Sequence, residues 1–82
     1  MDVILSKNAQ KEYDHLPKPE QVKIRKKIAA LETNPFSGKK LIGELENIYS
    51  IHVWPYRVFY EINKAEKRIE IHKIAHRQGV YK

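Results

Sequence analysis

Apolar positions along the chain change their period, and the changes mark out the elements. Asp2 to Leu5 (DVIL) is a compact apolar run rich in β-branched residues and predicts a short first strand. Ser6 follows as a helix cap, its hydroxyl able to accept from a free backbone N–H of the first turn. Ala9, Tyr13 and Leu16 then fall at i, i+4 and i+7 and form the apolar stripe of a first helix. Pro17 and Pro19 end that helix and restart the chain, with Pro19 suited to the first turn of a second one. The second helix runs to about Thr33, stops before Asn34-Pro35 and carries its stripe on Ile24, Ile28 and Leu31. Lys23, Arg25, Lys26 and Lys27 lie off the stripe and are expected in solvent, while Val22 and Ala29 make a narrow apolar strip on the far side.

Pro35 to Glu46, with Gly38, Lys39, Lys40 and Gly43, reads as a loop. Beyond it the apolar period shortens to two. Strands are predicted over roughly Ile48–Val53, Tyr56–Asn63 and Arg68–Ile74, with Asn63–Lys67 as the second turn. The order β-α-α-β-β-β predicts an α+β protein, an N-terminal strand and helical hairpin packed on a mainly antiparallel β-sheet. Neither repeat nor linker interrupts the pattern, so residues 1–82 are read as one domain.

The register of the first hairpin follows from the pattern itself. With the turn centred on Trp54-Pro55, Val53 faces Tyr56, Ile51 faces Val58 and Tyr49 faces Tyr60, all apolar or aromatic, as one buried sheet face requires. On the other face Ser50 meets Phe59 and His52 meets Arg57. A slip of one residue would set Arg57 opposite an apolar neighbour.

Composition narrows the chemistry. The sequence has 16 Lys and Arg against 10 Asp and Glu, a formal net charge of +6, which favours a polyanionic partner, nucleic acid first. The absence of cysteine removes disulfides and thiolate metal sites. No apolar run is long enough to span a bilayer and no signal-like segment opens the chain, so a cytoplasmic protein is expected. An imidazole beside a guanidinium suits RNA cleavage without a metal. In that reaction the 2′-hydroxyl attacks the neighbouring phosphate in line, something accepts its proton, something protonates the leaving 5′ oxygen, and positive charge surrounds the phosphorane. Arg57 would hold the phosphate oxygens with its planar fork and His52 would move the proton. His76 and Arg77 follow the last predicted strand, and Tyr81 is placed to stack on an unpaired base.

The runs Lys40–Leu45, Ile48–Val53 and Tyr56–Ile62, closing on Ile74-Ala75-His76-Arg77 and Val80-Tyr81, closely resemble the RelE/ParE toxin superfamily over essentially the whole chain. The strings YRVFYEI and HR…VY carry the specific part of the likeness. The resemblance implies a RelE-like fold and a type II toxin silenced by a RelB-like antitoxin, with no cofactor. It implies cleavage of messenger RNA in the ribosomal A site, leaving a 2′,3′-cyclic phosphate and a 5′-hydroxyl. The partners implied are messenger and the ribosome with its 16S RNA, not a membrane, and DNA only through the antitoxin complex. By this likeness Arg57 matches the strand arginine at the scissile phosphate, Arg77 the C-terminal arginine that serves the leaving group, and Tyr81 the terminal stacking aromatic. Ser50 and His52 stand where the best-known member has lysines, so His52 would act as base, with His76 a second candidate that is more readily read as packing on the sheet. Lys23, Lys26, Lys27, Lys39 and Lys40 are the candidate RNA-binding lysines. The ParE branch shares the fold and inhibits DNA gyrase without nuclease chemistry, which leaves a second reading.

Overall fold

The computed structural model describes residues 1–40 and 48–76. Strand β1 (Asp2–Leu5) leads into helices α1 (Lys7–Asp14) and α2 (Lys18–Thr33), followed by strands β2 (Lys39–Lys40), β3 (Ile48–Val53), β4 (Tyr56–Asn63) and β5 (Arg68–His76). The five strands form one sheet in the order β1-β5-β4-β3-β2, with β1 parallel to β5 and the other pairs antiparallel. This is the α+β arrangement expected from the sequence, with the helices on one face of a mainly antiparallel sheet.

The helices begin where their caps dictate. Ser6 Oγ accepts from the Ala9 amide at 3.0 Å, satisfying one of the free donors of the first turn of α1. Pro17 and Pro19 open α2, where a missing N–H costs nothing. Ile24 and Leu31 of α2 are fully buried with Ala9 of α1 against Val58, Tyr60, Ile62, Ile69, Ile71 and Ile74 of the sheet. Burial of each large apolar side chain here stabilises the fold by about 1.5–3 kcal/mol. Ile28 packs at the edge of this cluster, while Lys23, Arg25, Lys26 and Lys27 stay exposed as their positions off the stripe require.

Three details depart from the sequence reading. Leu16 lies beyond the end of α1, although its amide still bonds Tyr13 O at 3.0 Å and its side chain reaches the core. The segment read as a loop contains β2, where Lys39 pairs with Ser50 and Lys40 with Tyr49. A two-residue lysine strand has no apolar alternation to announce it and forms by backbone pairing along the edge of β3. Finally, β5 continues past Ile74, so His76 lies within the strand, paired with Tyr56. A bulge makes this possible: Phe59 pairs with Lys73 but Tyr60 with Ile71, leaving His72 as the extra residue.

The short β1 ends at its pairing of Leu5 with Ile71, and polar groups from α1 and its cap cover the part of the β5 edge beyond it. The Ser6 amide donates to Ile71 O at 2.9 Å, Ser6 Oγ to His72 O at 3.2 Å, and the Ile74 amide to Glu12 Oε1 at 2.9 Å. Two edge carbonyls and one edge amide that water would otherwise have to satisfy are thus paired.

At the other end of the core, Tyr60 fastens the connection that leads into β2. Its buried hydroxyl accepts from the Gly38 amide at 3.0 Å and donates to Pro35 O at 2.9 Å. Tyr49 stacks on the Tyr60 ring with centroids 5.5 Å apart, and Phe36 closes edge-on over Tyr49 at 5.9 Å. Gly38 is required by close approach, since a Cβ there would fall 2.4 Å from Tyr60 Oη and 2.8 Å from Ser50 O. Gly38→Ala is therefore expected to cost about 1–3 kcal/mol in urea unfolding, the usual penalty of overpacking. Adding Tyr60→Phe should recover only part of it, because the clash with Ser50 O remains.

Burial pushes the Tyr60 hydroxyl above the ordinary tyrosine value of 10.0, the Gly38 amide draws it partly back, and Tyr49 adds to the rise. The folded state therefore holds this proton more tightly than the unfolded chain does. The resulting stabilisation is complete below the ordinary tyrosine value and is lost as pH climbs toward the raised one. Unfolding free energies measured from about pH 9 to about pH 11 should fall in the parent and fall less in Tyr60→Phe. Identical slopes would show that Tyr60 does not contribute.

Candidate functional site

The hairpin of β3 and β4 has the register expected from its side-chain pattern. Val53 pairs with Tyr56, Ile51 with Val58 and Tyr49 with Tyr60 toward the helices, while Ser50 with Phe59 and His52 with Arg57 take the opposite face. The Trp54-Pro55 peptide at the turn is cis. With Val58 and Tyr60 drawn fully into the core, the alternation of β4 leaves Arg57 on the open face.

On that face Arg57 is held from two directions. Its Nη1 donates to Ser50 Oγ at 3.1 Å, and its Nη2 contacts His52 Nε2. A guanidinium can only donate, so a lone pair on the imidazole is what it can meet here. Ser50 is 2% exposed, His52 is exposed and Arg57 lies between the two, so one end of the fork is anchored in the sheet and the other faces outward. A cleft of about 280 Å³ opens here, lined by Ser37, Gly38, Lys39, Ser50, Ile51, His52 and Arg57. Its wall is the connection that Tyr60 fastens from the far side of the sheet.

The candidate lysines separate by position. Lys39 pairs with Ser50 and lines this cleft, whereas Lys40 pairs with Tyr49 and belongs to the opposite face. Lys23, Lys26 and Lys27 of α2 line a second groove of about 480 Å³ with Ala30, His52, Val53 and Trp54. His52 borders both spaces, so the helix lysines and the Arg57 cleft are neighbours. Trp54 and the Ser37–Gly38 wall were not singled out from the sequence. The signal for Trp54 was present, a large aromatic in a hairpin turn of a basic chain, and it is 65% exposed. The wall had no comparable signal, because it depends on a hydroxyl 22 residues away from Gly38.

His76 is not brought to this cleft. Its pairing with Tyr56 puts it on the helix-side face, where its ring meets the Tyr56 ring edge-on at 5.3 Å. Arg77 and Tyr81 lie outside the described residues. Among the described residues, Glu61, Glu70 and His72 bring ligand atoms within 4.8 Å of one another, a spacing that could hold a cation. They are already engaged, Glu61 with His72 at 3.0 Å and Glu70 with Arg68 at 3.0 Å, and Glu61 is four positions along β4 from Arg57. No helix of the described residues is long and apolar enough to cross a membrane.

A helical hairpin packed on one side of a mainly antiparallel five-stranded sheet is the architecture of a class of small α+β toxins. The chain belongs to that class: residues 3–81 match the family of the ParE toxin of type II toxin–antitoxin systems, and it is a RelE/ParE superfamily toxin. It is 31% identical over 86 aligned residues to a Methanocaldococcus jannaschii protein bearing the toxin name RelE1, covering 99% of this chain and 94% of that one. Its structure is similar to the archaeal RelE–RelB complex of Pyrococcus horikoshii OT3, at 26% identity and TM-score 0.76, covering 93% of each chain. It also superposes on the RelBE2 toxin–antitoxin complex of Mycobacterium tuberculosis with TM-score 0.83 at 23% identity, over 92% of this chain and 95% of that one.

If Ser50 anchors Arg57, Ser50→Ala should lower stability by about 0.5–1.5 kcal/mol, the net worth of one hydrogen bond. Urea midpoints measured for Ser50→Ala, Arg57→Ala and the double variant should be non-additive, since both single changes remove the same bond. Strict additivity would show that the bond contributes nothing.

Proposed function

We propose that this toxin is a metal-independent endoribonuclease of the RelE type, acting on messenger RNA in the ribosomal A site and so inhibiting translation. The observation that supports this most is the arginine fork on the sheet face away from the helices, bonded to Ser50 and touching the His52 imidazole. In the reaction Arg57 takes a non-bridging oxygen of the scissile phosphate, a better acceptor than an imidazole nitrogen because it is charged. That exchange releases His52 Nε2, whose lone pair then accepts the 2′-hydroxyl proton as the oxygen attacks phosphorus. The P–O5′ bond breaks and leaves a 2′,3′-cyclic phosphate. The 5′ oxygen receives its proton with the help of Arg77, and Tyr81 stacks on a messenger base, both roles following from family likeness. Lys39 at the cleft, with Lys23, Lys26 and Lys27 beyond His52, supplies positive charge for the RNA backbone. Lys40 contributes through net charge from the other face.

Ser50 and His52 replace fixed cations with neutral acceptors. The site therefore places less charge on the phosphorane than a lysine-bearing one, and weaker activity is expected. The partner is a RelB-type antitoxin, as in the RelE–RelB complex of the Pyrococcus horikoshii relative, with an acidic or amphipathic segment covering the surface around Arg57. The setting is cytoplasmic, one domain spans the chain, and DNA is met only through the antitoxin complex. A second reading has an observation of its own, since the matched family is described by its ParE toxin. In that case the protein inhibits gyrase and cuts nothing.

Purified protein added to a translating extract should generate new messenger ends bearing cyclic phosphates. Arg57→Ala should reduce cleavage about 10²–10³-fold, the scale of removing one transition-state donor. His52→Ala should lower cleavage while leaving ribosome binding nearly intact. Intact messenger together with blocked gyrase supercoiling would establish the second reading in place of the first.

A further inference from the structure

Where α2 passes the β3–β4 turn, a groove is lined by Lys23, Lys26, Lys27 and Ala30 of the helix and by His52, Val53 and Trp54 of the hairpin. The spacing i, i+3, i+4 puts these lysines on one helix face, beside the stripe that buries Ile24 and Leu31. Lys23 is partly committed, to Glu20 at 3.4 Å and to Trp54 O at 3.5 Å, which ties the helix to the turn. Among the described residues Lys26 and Lys27 have no ion-pair partner. A groove of about 480 Å³ lined by both an exposed tryptophan and three lysines combines the two elements that hold unpaired nucleotides, a stacking surface and a cationic rail. His52 lines this groove and at the same time borders the Arg57 cleft.

We propose that this groove is a nucleotide subsite for single-stranded RNA, in which the Trp54 indole stacks on a base and Lys26 and Lys27 hold backbone phosphates next to the one bound by Arg57. The proposal rests on the ribonuclease reading and adds where the strand goes once it leaves His52. A polyanion anchored at Arg57 must continue in some direction, and the α2 side offers successive cations and an exposed aromatic in one groove. Lys23 acts as a positioning residue, holding the turn that presents the indole.

Trp54 is the only tryptophan in the sequence, so intrinsic fluorescence reports on this groove directly. A short 2′-O-methyl oligouridylate cannot be cleaved and separates binding from chemistry. Titrated into the purified protein, it should quench Trp54 saturably, with affinity falling as salt rises. The double variant Lys26→Gln/Lys27→Gln should bind about tenfold more weakly or worse. Its slope of log affinity against log salt should shrink by about 1.4, near 0.7 for each phosphate no longer neutralised. Trp54→Ala, followed through a dye on the oligonucleotide, should also weaken binding about tenfold. Absence of quenching, or quenching indifferent to both lysines, overturns the subsite. So does quenching by an acidic amphipathic helical peptide but not by the oligonucleotide. Messenger cleavage that persists without quenching refutes the subsite alone, whereas loss of both refutes the ribonuclease reading with it.

Discussion

Strand β4 lies between β3 and β5, and its alternate residues serve two faces. Val58, Tyr60 and Ile62 enter the core beneath the helices, while Arg57 and Phe59 turn the other way. Because the side-chain period is two, the register that buries one set necessarily presents the other. A one-residue slip would cost the burial of several large apolar side chains and at the same time drive a guanidinium into the core, a penalty of several kcal/mol for the unpaired charge alone. The fold and the position of Arg57 are therefore one constraint. Core packing holds the arginine in place even though the arginine adds little to the core.

Tyr60 extends that constraint across the sheet. It belongs to the core by its ring and to the connection before β2 by its hydroxyl, which satisfies both an amide and a carbonyl. The approach is close enough that only glycine fits at position 38. Through this contact a core residue shapes the wall of the cleft on the opposite face and sets Lys39 beside Ser50. The bulge at His72 plays a comparable part on the other side of β4, shifting β5 so that His76 meets Tyr56 and not the cleft.

The Arg57 fork shows how one site architecture accommodates different charges. Ser50 accepts a hydrogen bond from the guanidinium and His52 Nε2 touches it, so the cation is oriented by a hydroxyl and an imidazole. Lysines at these positions would add field strength but would repel the arginine. The arrangement here trades electrostatic strength for a single oriented donor and a nearby lone pair. The α2 lysines stand one groove away, where they add to the positive potential without crowding the fork.

Periodicity alone determined much of this protein. The strand–helix–helix–strand order, the Ser6 cap, the Pro17–Pro19 break and the pairing of His52 with Arg57 all follow from local pattern, because burial on one face leaves few registers open. Net charge pointed to a polyanion and the YRVFYEI string to the toxin family, which the match over residues 3–81 shows. What the sequence could not decide depends on groups far apart in the chain. β2 exists through backbone pairing and a hydroxyl in β4, His76 changes surroundings because of one extra residue in β5, and Trp54 joins Lys26 and Lys27 only when the hairpin turn folds against α2. Local pattern records which side of an element is buried. Which elements then face one another across a groove is set by packing, and only the tertiary structure contains it.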